Sequence, residues 1–183
     1  MLRWKYSRPA LAVLLLVLAL APLLGNNPLS KPGLQQTLAV AFIYGGLALT
    51  YDLLFGFTGL LSFGHAIYFG TGMYITCILI NHSVAPWFIA MFAAVAITSF
   101  FAMLVGMASL RTTGITFAMV TLAFGEAGHV IINRNFFNLT GGENGIALDA
   151  TKVPQFWIGV VNTKYLYWTA LLALILVYAI IWW

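Results

Sequence analysis

Charge is scarce in this sequence of 183 residues: 7% is Asp, Glu, Lys or Arg, against 62% hydrophobic. A water-facing domain carries about 25% charged residues, so this composition excludes an ordinary soluble surface and implies an integral membrane protein. Acids are scarcer still, with only Asp52, Glu126, Glu143 and Asp149. That is too few for a carboxylate-rich di-metal centre within one chain, which needs a repeated Glu-x-x-His motif and two further acids. Cys77 is the lone cysteine, which rules out an intrachain disulfide and a thiolate metal site; it reads as a small apolar side chain. The eight bases are scattered, so there is no nucleic-acid footprint. No glycine loop ending in Lys-Ser/Thr is present, so the chain is not expected to hydrolyse nucleotide. No nucleophilic triad is suggested either; the chain reads as a non-enzyme without a cofactor.

What the sequence does have is apolar segments. Six stand out: Ala10–Leu24, Leu34–Phe55, Leu60–Ile80, Pro86–Leu110, Gly114–Asn133 and Tyr165–Trp183. A spanning helix needs about 20 apolar residues, and the second to sixth reach or approach that length. The first is shorter. Its Ala19-Leu20-Ala21 resembles a signal cleavage site, but Pro22 follows it and the apolar run continues, so a retained signal anchor is favoured. The expected fold is all-α: a polytopic bundle of about six spans, one transmembrane domain over 1–183.

Arg3, Lys5 and Arg8 precede the first segment and argue for a cytoplasmic N-terminus. Alternation then puts the Gly56–Gly59 and Arg111–Thr113 turns inside. It puts Asn26–Gly33, Asn81–Ala85 and the loop 134–164 outside. That last loop carries Thr140-Gly141-Gly142-Glu143-Asn144-Gly145, a run with turn chemistry, and it is flanked by Phe156, Trp157, Tyr165, Tyr167 and Trp168 at the expected headgroup level.

The third segment is unusual. Gly56–Tyr74 holds five glycines (Gly56, Gly59, Gly64, Gly70, Gly72) together with Thr58, Ser62 and His65. Lipid cannot satisfy exposed backbone polar groups, so a broken, polar helix at membrane depth is tolerated where protein or a water-filled cavity surrounds it. His65 lies between small neighbours and reads first as a structural hydrogen-bonding group, second as a path-lining one. Asp52 and Arg111 fall near the inner boundary, where water or an anchoring role satisfies them. Glu126 and His129 are spaced i, i+3 on one helix face; they are expected to bond each other or neighbours near the outer end of the fifth segment, or to line a path. Small pairs Ala41/Gly45 and Ala102/Gly106 allow close helix packing.

Three blocks together are specific. Tyr51–Ala66 (YDLLFGFTGLLSFGHA) continues into Phe69-Gly70-x-Gly72-x-Tyr74; Leu110–Phe124 (LRTTGITFAMVTLAF) follows; then comes Leu139–Gly145 (LTGGENG). In this order and spacing they resemble the permeases of branched-chain amino acid ABC transporters, the M-type subunits of leucine/isoleucine/valine importers most closely, with urea-type permeases as near relatives. The resemblance implies a permease subunit without chemistry of its own. It implies as partners a second permease, two cytoplasmic ATPase subunits and an extracytoplasmic solute-binding protein, in the cell inner membrane. Its path would involve Ser62, Gly64, His65, Gly70, Thr121 and Glu126, and Thr140, Gly141, Gly142 and Glu143 would lie on the binding-protein side. Members of that family continue well beyond the length of this sequence, so it reads as their N-terminal part, lacking the ATPase-docking loop. The substrate stays open among branched-chain amino acids, urea, short amides and similar small polar solutes. The competing reading is a membrane redox or metal subunit using His65 and His129; a third is an assembly-only subunit without a solvated path.

Overall fold

The structure, a computed structural model, describes residue 18 and residues 31–135, 138–158 and 162–182. The first expected span, Ala10–Leu24, and the basic flank before it lie outside the described residues, Leu18 excepted. Among the described residues there is no strand. Five α-helices follow one another: α1, Pro32–Thr58; α2, His65–Asn81; α3, Trp87–Ser109; α4, Gly114–Arg134; and α5, Thr163–Trp182. Their bounds fall within five residues of the apolar segments read from the sequence.

The helix ends follow local chemistry. Pro32 opens α1, where its missing N–H costs nothing. Pro86, extended at φ −54° and ψ 150°, forces the chain out of helix before α3. Asn135 closes α4 in the left-handed conformation (φ 47°), a geometry Asn tolerates. Four of the five helices are long and apolar enough to cross a membrane. At 1.5 Å rise per residue these four reach about 30–40 Å, whereas α2, with 17 residues, reaches only about 25 Å. The chain is a multi-pass membrane protein, and the outward faces fit that: α3 buries Ala90, Ala94, Val105 and Ser109 but exposes Phe88, Phe92, Val95, Phe100 and Met103. A helix apolar on all sides belongs in lipid.

The chain divides into two compact units. One comprises Met1–Thr50 and Gln155–Trp183. Its core is Ala39 and Phe42 of α1 with Tyr167, Ala170 and Leu171 of α5. Phe42 and Tyr167 meet edge to face with centroids 5.3 Å apart, and the Tyr167 hydroxyl donates to Leu18 O at 2.6 Å. The hydroxyl is thereby satisfied, as a buried tyrosine requires.

The other unit, Tyr51–Pro154, holds the last turns of α1, then α2, α3, α4 and most of the loop between α4 and α5. Every residue of the candidate path lies in it. Here α2 packs along α3, with Gly72 against Thr98, and crosses α4 near its own first residues. Short 3-10 turns at Gly142–Asn144 and Ala150–Lys152 shape the loop.

Candidate functional site

The interruption foreseen in the third segment lies before α2, not within it. Residues 59–64 leave the helical conformation, and α2 then runs unbroken through Gly70 and Gly72. Two hydrogen bonds show how this irregular stretch is held. The backbone N–H of Phe63 donates to Thr121 Oγ1 at 3.1 Å, and that same hydroxyl donates to Ala118 O at 2.9 Å. One buried oxygen therefore satisfies a backbone donor freed by the break and still gives up its own proton. Ser62, Gly64 and Thr121 are all buried here.

Side chains are kept small where α2 meets α4. A Cβ added to Gly64 would stand 2.6 Å from the Thr121 carbonyl oxygen and 3.3 Å from its carbon. On the α4 side, a Cβ at Gly125 would sit 3.8 Å from Gly64 Cα, and one at Gly128 would come 2.6 Å from Ile67 Cδ1. Thr121, Gly125 and Gly128 are spaced i, i+4, i+7, which places them on one face of α4. Backbone thus lies almost on backbone, the small-residue packing that stabilises helix pairs in lipid.

Depth follows from register. Thr121 lies seven residues beyond the start of α4, about 10 Å along its axis. Because Gly64 packs there, α2 begins well inside the height of α4, and the irregular segment 59–64 lies beside a helix long and apolar enough to cross a membrane. Non-helical backbone at such depth is tolerated where it is enclosed by protein or borders water.

His65, the first residue of α2, is half-buried and edge-on to two rings: Tyr51 at 5.8 Å and Tyr68 at 6.3 Å between centroids. Gly70 faces open space, with nothing within 4 Å of an added Cβ. Glu126 and His129 are exposed on α4. The sequence allowed bonds to each other or to neighbours; His129 meets a neighbour, the Asn133 amide, 2.9 Å from its Nε2. With the amide as donor, Nε2 is the acceptor. The candidate residues therefore divide. Ser62, Gly64 and Thr121 form one buried crossing with His65 at its edge, while Gly70 and Glu126 lie elsewhere on their helices. The two histidines of the redox alternative have separate neighbours, and no group of three metal-ligating side chains occurs among the described residues. That alternative has no support.

The described part of the loop between α4 and α5 is more ordered than its glycines suggest. Asn135 Oδ1 accepts the Thr140 N–H at 2.9 Å, and the Thr140 hydroxyl lies 2.7 Å from Ile132 O. Gly141, Gly142 and Gly145 all have positive φ, and Gly145 N–H closes the turn onto Gly142 O at 3.1 Å. Gly142 is buried against Asn133 O; Glu143 stays exposed. Further on, Asp149 accepts from the Thr151 hydroxyl at 2.6 Å and the Thr151 N–H at 3.0 Å, with Lys152 3.8 Å away. The Thr151 hydrogen bonds, helped by Lys152, hold its carboxyl below the usual carboxylate range, while slight desolvation works the other way.

Gly125, Gly128 and Asn81 were not singled out from the sequence. Glycines at i+4 and i+7 from Thr121 were the available signal for the first two. Of the two pairs chosen instead, Ala102/Gly106 makes no such approach, with nothing within 4 Å of an added Cβ at Gly106, and at Gly45 of Ala41/Gly45 an added Cβ would meet the Leu174 side chain at 3.7 Å. Replacing Thr121 by Val keeps the shape and removes the hydroxyl. It should destabilise the chain by about 1–3 kcal/mol, the cost of an unsatisfied buried N–H. Hydrogen exchange in bilayer nanodiscs would read this as lost protection at the Phe63 amide; retained protection would show that another acceptor serves it.

Residues 33–183 match the family described as branched-chain amino acid transport system / permease component. Two curated proteins are similar. Over 112 residues the chain is 34% identical to the high-affinity branched-chain amino acid transport system permease protein LivM of Salmonella typhimurium, an alignment covering 61% of this chain and 25% of that protein. Over 137 residues it is 33% identical to the protein of the same name from Escherichia coli, covering 74% of this chain and 31% of that one. The chain thus spans a quarter to a third of the length of the curated relatives it matches. No solved structure matches it.

Proposed function

We propose, from the premise that this chain belongs to the family of branched-chain amino acid transport permease components, that it forms part of the solute path of an ATP-binding-cassette importer. It performs no chemistry of its own. The solute is a branched-chain amino acid or a similarly small polar molecule. A second permease subunit completes the path, two ATPase subunits drive it from the cytoplasm, and a solute-binding protein delivers cargo from outside. The membrane is the cell's inner membrane and the N-terminus is cytoplasmic. Arg3, Lys5 and Arg8 support that orientation, and Arg111, in the turn between α3 and α4, falls on the same side by alternation.

The observation that carries this reading is the irregular segment 59–64, held by Thr121 against a helix long and apolar enough to span the membrane. A simple anchor has no use for a broken helix there; a path does, because freed backbone groups and small side chains leave room for a polar solute. Ser62, Gly64, His65, Gly70 and Thr121 would line or support that path. Glu126 extends it: an exposed carboxylate within a spanning helix is costly against acyl chains, which argues for water or protein over that face. Thr140, Gly141, Gly142 and Glu143 would face the binding protein.

The whole importer, reconstituted in proteoliposomes with its binding protein and ATPases, should take up labelled leucine only with ATP, and unlabelled isoleucine or valine should compete. Uptake without ATP, or none above empty vesicles, would overturn the reading. In the same vesicles a water-soluble carbodiimide should modify Glu126. Modification by a lipid-soluble carbodiimide alone would remove Glu126 from the path.

A further inference from the structure

The outer loop is fastened at both ends to the two helices that cross at Gly64. On the α4 side, Thr140 is tied to Asn135 and Ile132, and Gly142 rests on Asn133. On the α2 side, the fastening is a single residue. Asn81, the last residue of α2, donates from Nδ2 to Ala147 O at 2.8 Å and accepts the Asp149 N–H on Oδ1 at 2.8 Å. Its side-chain amide thus pairs with the loop backbone as a neighbouring strand would. Lys152 adds a second tie by donating to the Asn81 backbone carbonyl, at the helix C-terminus where a cation is favoured. Asp149 sets up that tie, since it caps the turn Ala150–Lys152 and pairs with Lys152.

The two attachments of the α2–α4 pair differ in kind. The lower is a buried approach of backbone to backbone at Gly64 and Thr121, with the Ile67 side chain near Gly128 the one group there that could give. The upper is a set of hydrogen bonds at the surface, where water competes for every partner. We infer that α2 and α4 form a pivot and a catch. The Gly64–Thr121 crossing is the pivot. The Asn81 fastening is the catch, and the outer ends of the two helices separate only when the segment 147–152 lets go of Asn81. The loop is then a strap that sets the width of the pair at the outer surface. This stands independently of what passes through the protein.

The test uses this chain in nanodiscs, with Cys77→Ser as background and spin labels at Ser83→Cys and Arg134→Cys, just beyond α2 and at the end of α4. The unaltered strap should give one narrow distance distribution. Asn81→Ala should broaden it toward longer distances and speed exchange of the Asp149 amide at least tenfold, leaving the Thr140 and Phe63 amides protected. Faster Asp149 exchange with an unchanged distance distribution overturns the inference, because the loop would then be loose without the helices parting. Unchanged exchange overturns it too. Should Asn81→Ala cost protection at Phe63 as well, Asn81→Leu with Lys152→Met decides, since it removes both amide bonds and the ammonium while keeping bulk at residue 81. Broadening with Phe63 still protected supports the catch, and an unaltered distribution overturns it.

Discussion

Gly64→Leu is expected to abolish uptake by the complete importer while leaving membrane insertion intact. The reason is geometric. Even the first atom of a side chain at this position would stand 2.6 Å from the Thr121 carbonyl oxygen, a backbone atom that cannot swing aside. Relief requires α2 and α4 to part, which also pulls Phe63 away from the Thr121 hydroxyl. Gly64→Ala should already cost about 1–3 kcal/mol, as overpacking does in a close-packed interior. Gly70→Ala supplies the contrast: it adds a methyl to open space in mid-helix, where alanine is about 1 kcal/mol better than glycine. Thermal unfolding in detergent should therefore fall for Gly64→Ala and hold or rise for Gly70→Ala. Equal behaviour of the two variants would refute the close crossing.

Gly141→Ala should be the most damaging change in the loop between α4 and α5. The residue sits at φ 71°, where a Cβ is strained, and an added Cβ would run into the carbonyl of Gly145 across the turn. Strain and collision act together, and the turn cannot close. The Gly145 N–H should lose its bond to Gly142 O, and protease should cut within 140–146 at least ten times faster than in the unaltered chain. Helices should be unaffected, because the turn's ties to α4 run through Thr140 and Asn135. A turn that resists protease equally in both forms would show that the loop accommodates a side chain there.

Helix number and type were legible wherever they are described, because apolar runs of spanning length leave few alternatives. The glycine-rich stretch was legible as a break, and Gly64 as a site of close approach. What the sequence did not reveal was the partner. Thr121 is one of many hydroxyl residues in apolar segments, and only folding shows that its oxygen meets a backbone N–H 58 positions earlier. The same holds for Asn81, whose two amide partners lie 66 and 68 residues away. Glu126 and His129 share a face as their spacing requires, yet His129 turned to Asn133, because i, i+3 and i, i+4 neighbours compete and spacing alone does not choose.

The late start of α2 shifts a burden onto the backbone before it. A helix of about 25 Å is shorter than a hydrocarbon layer about 30 Å thick. In a bilayer, the crossing at the His65 end therefore falls to the non-helical residues 59–64, whose peptide groups then need a protein or aqueous neighbour, as Phe63 has in Thr121.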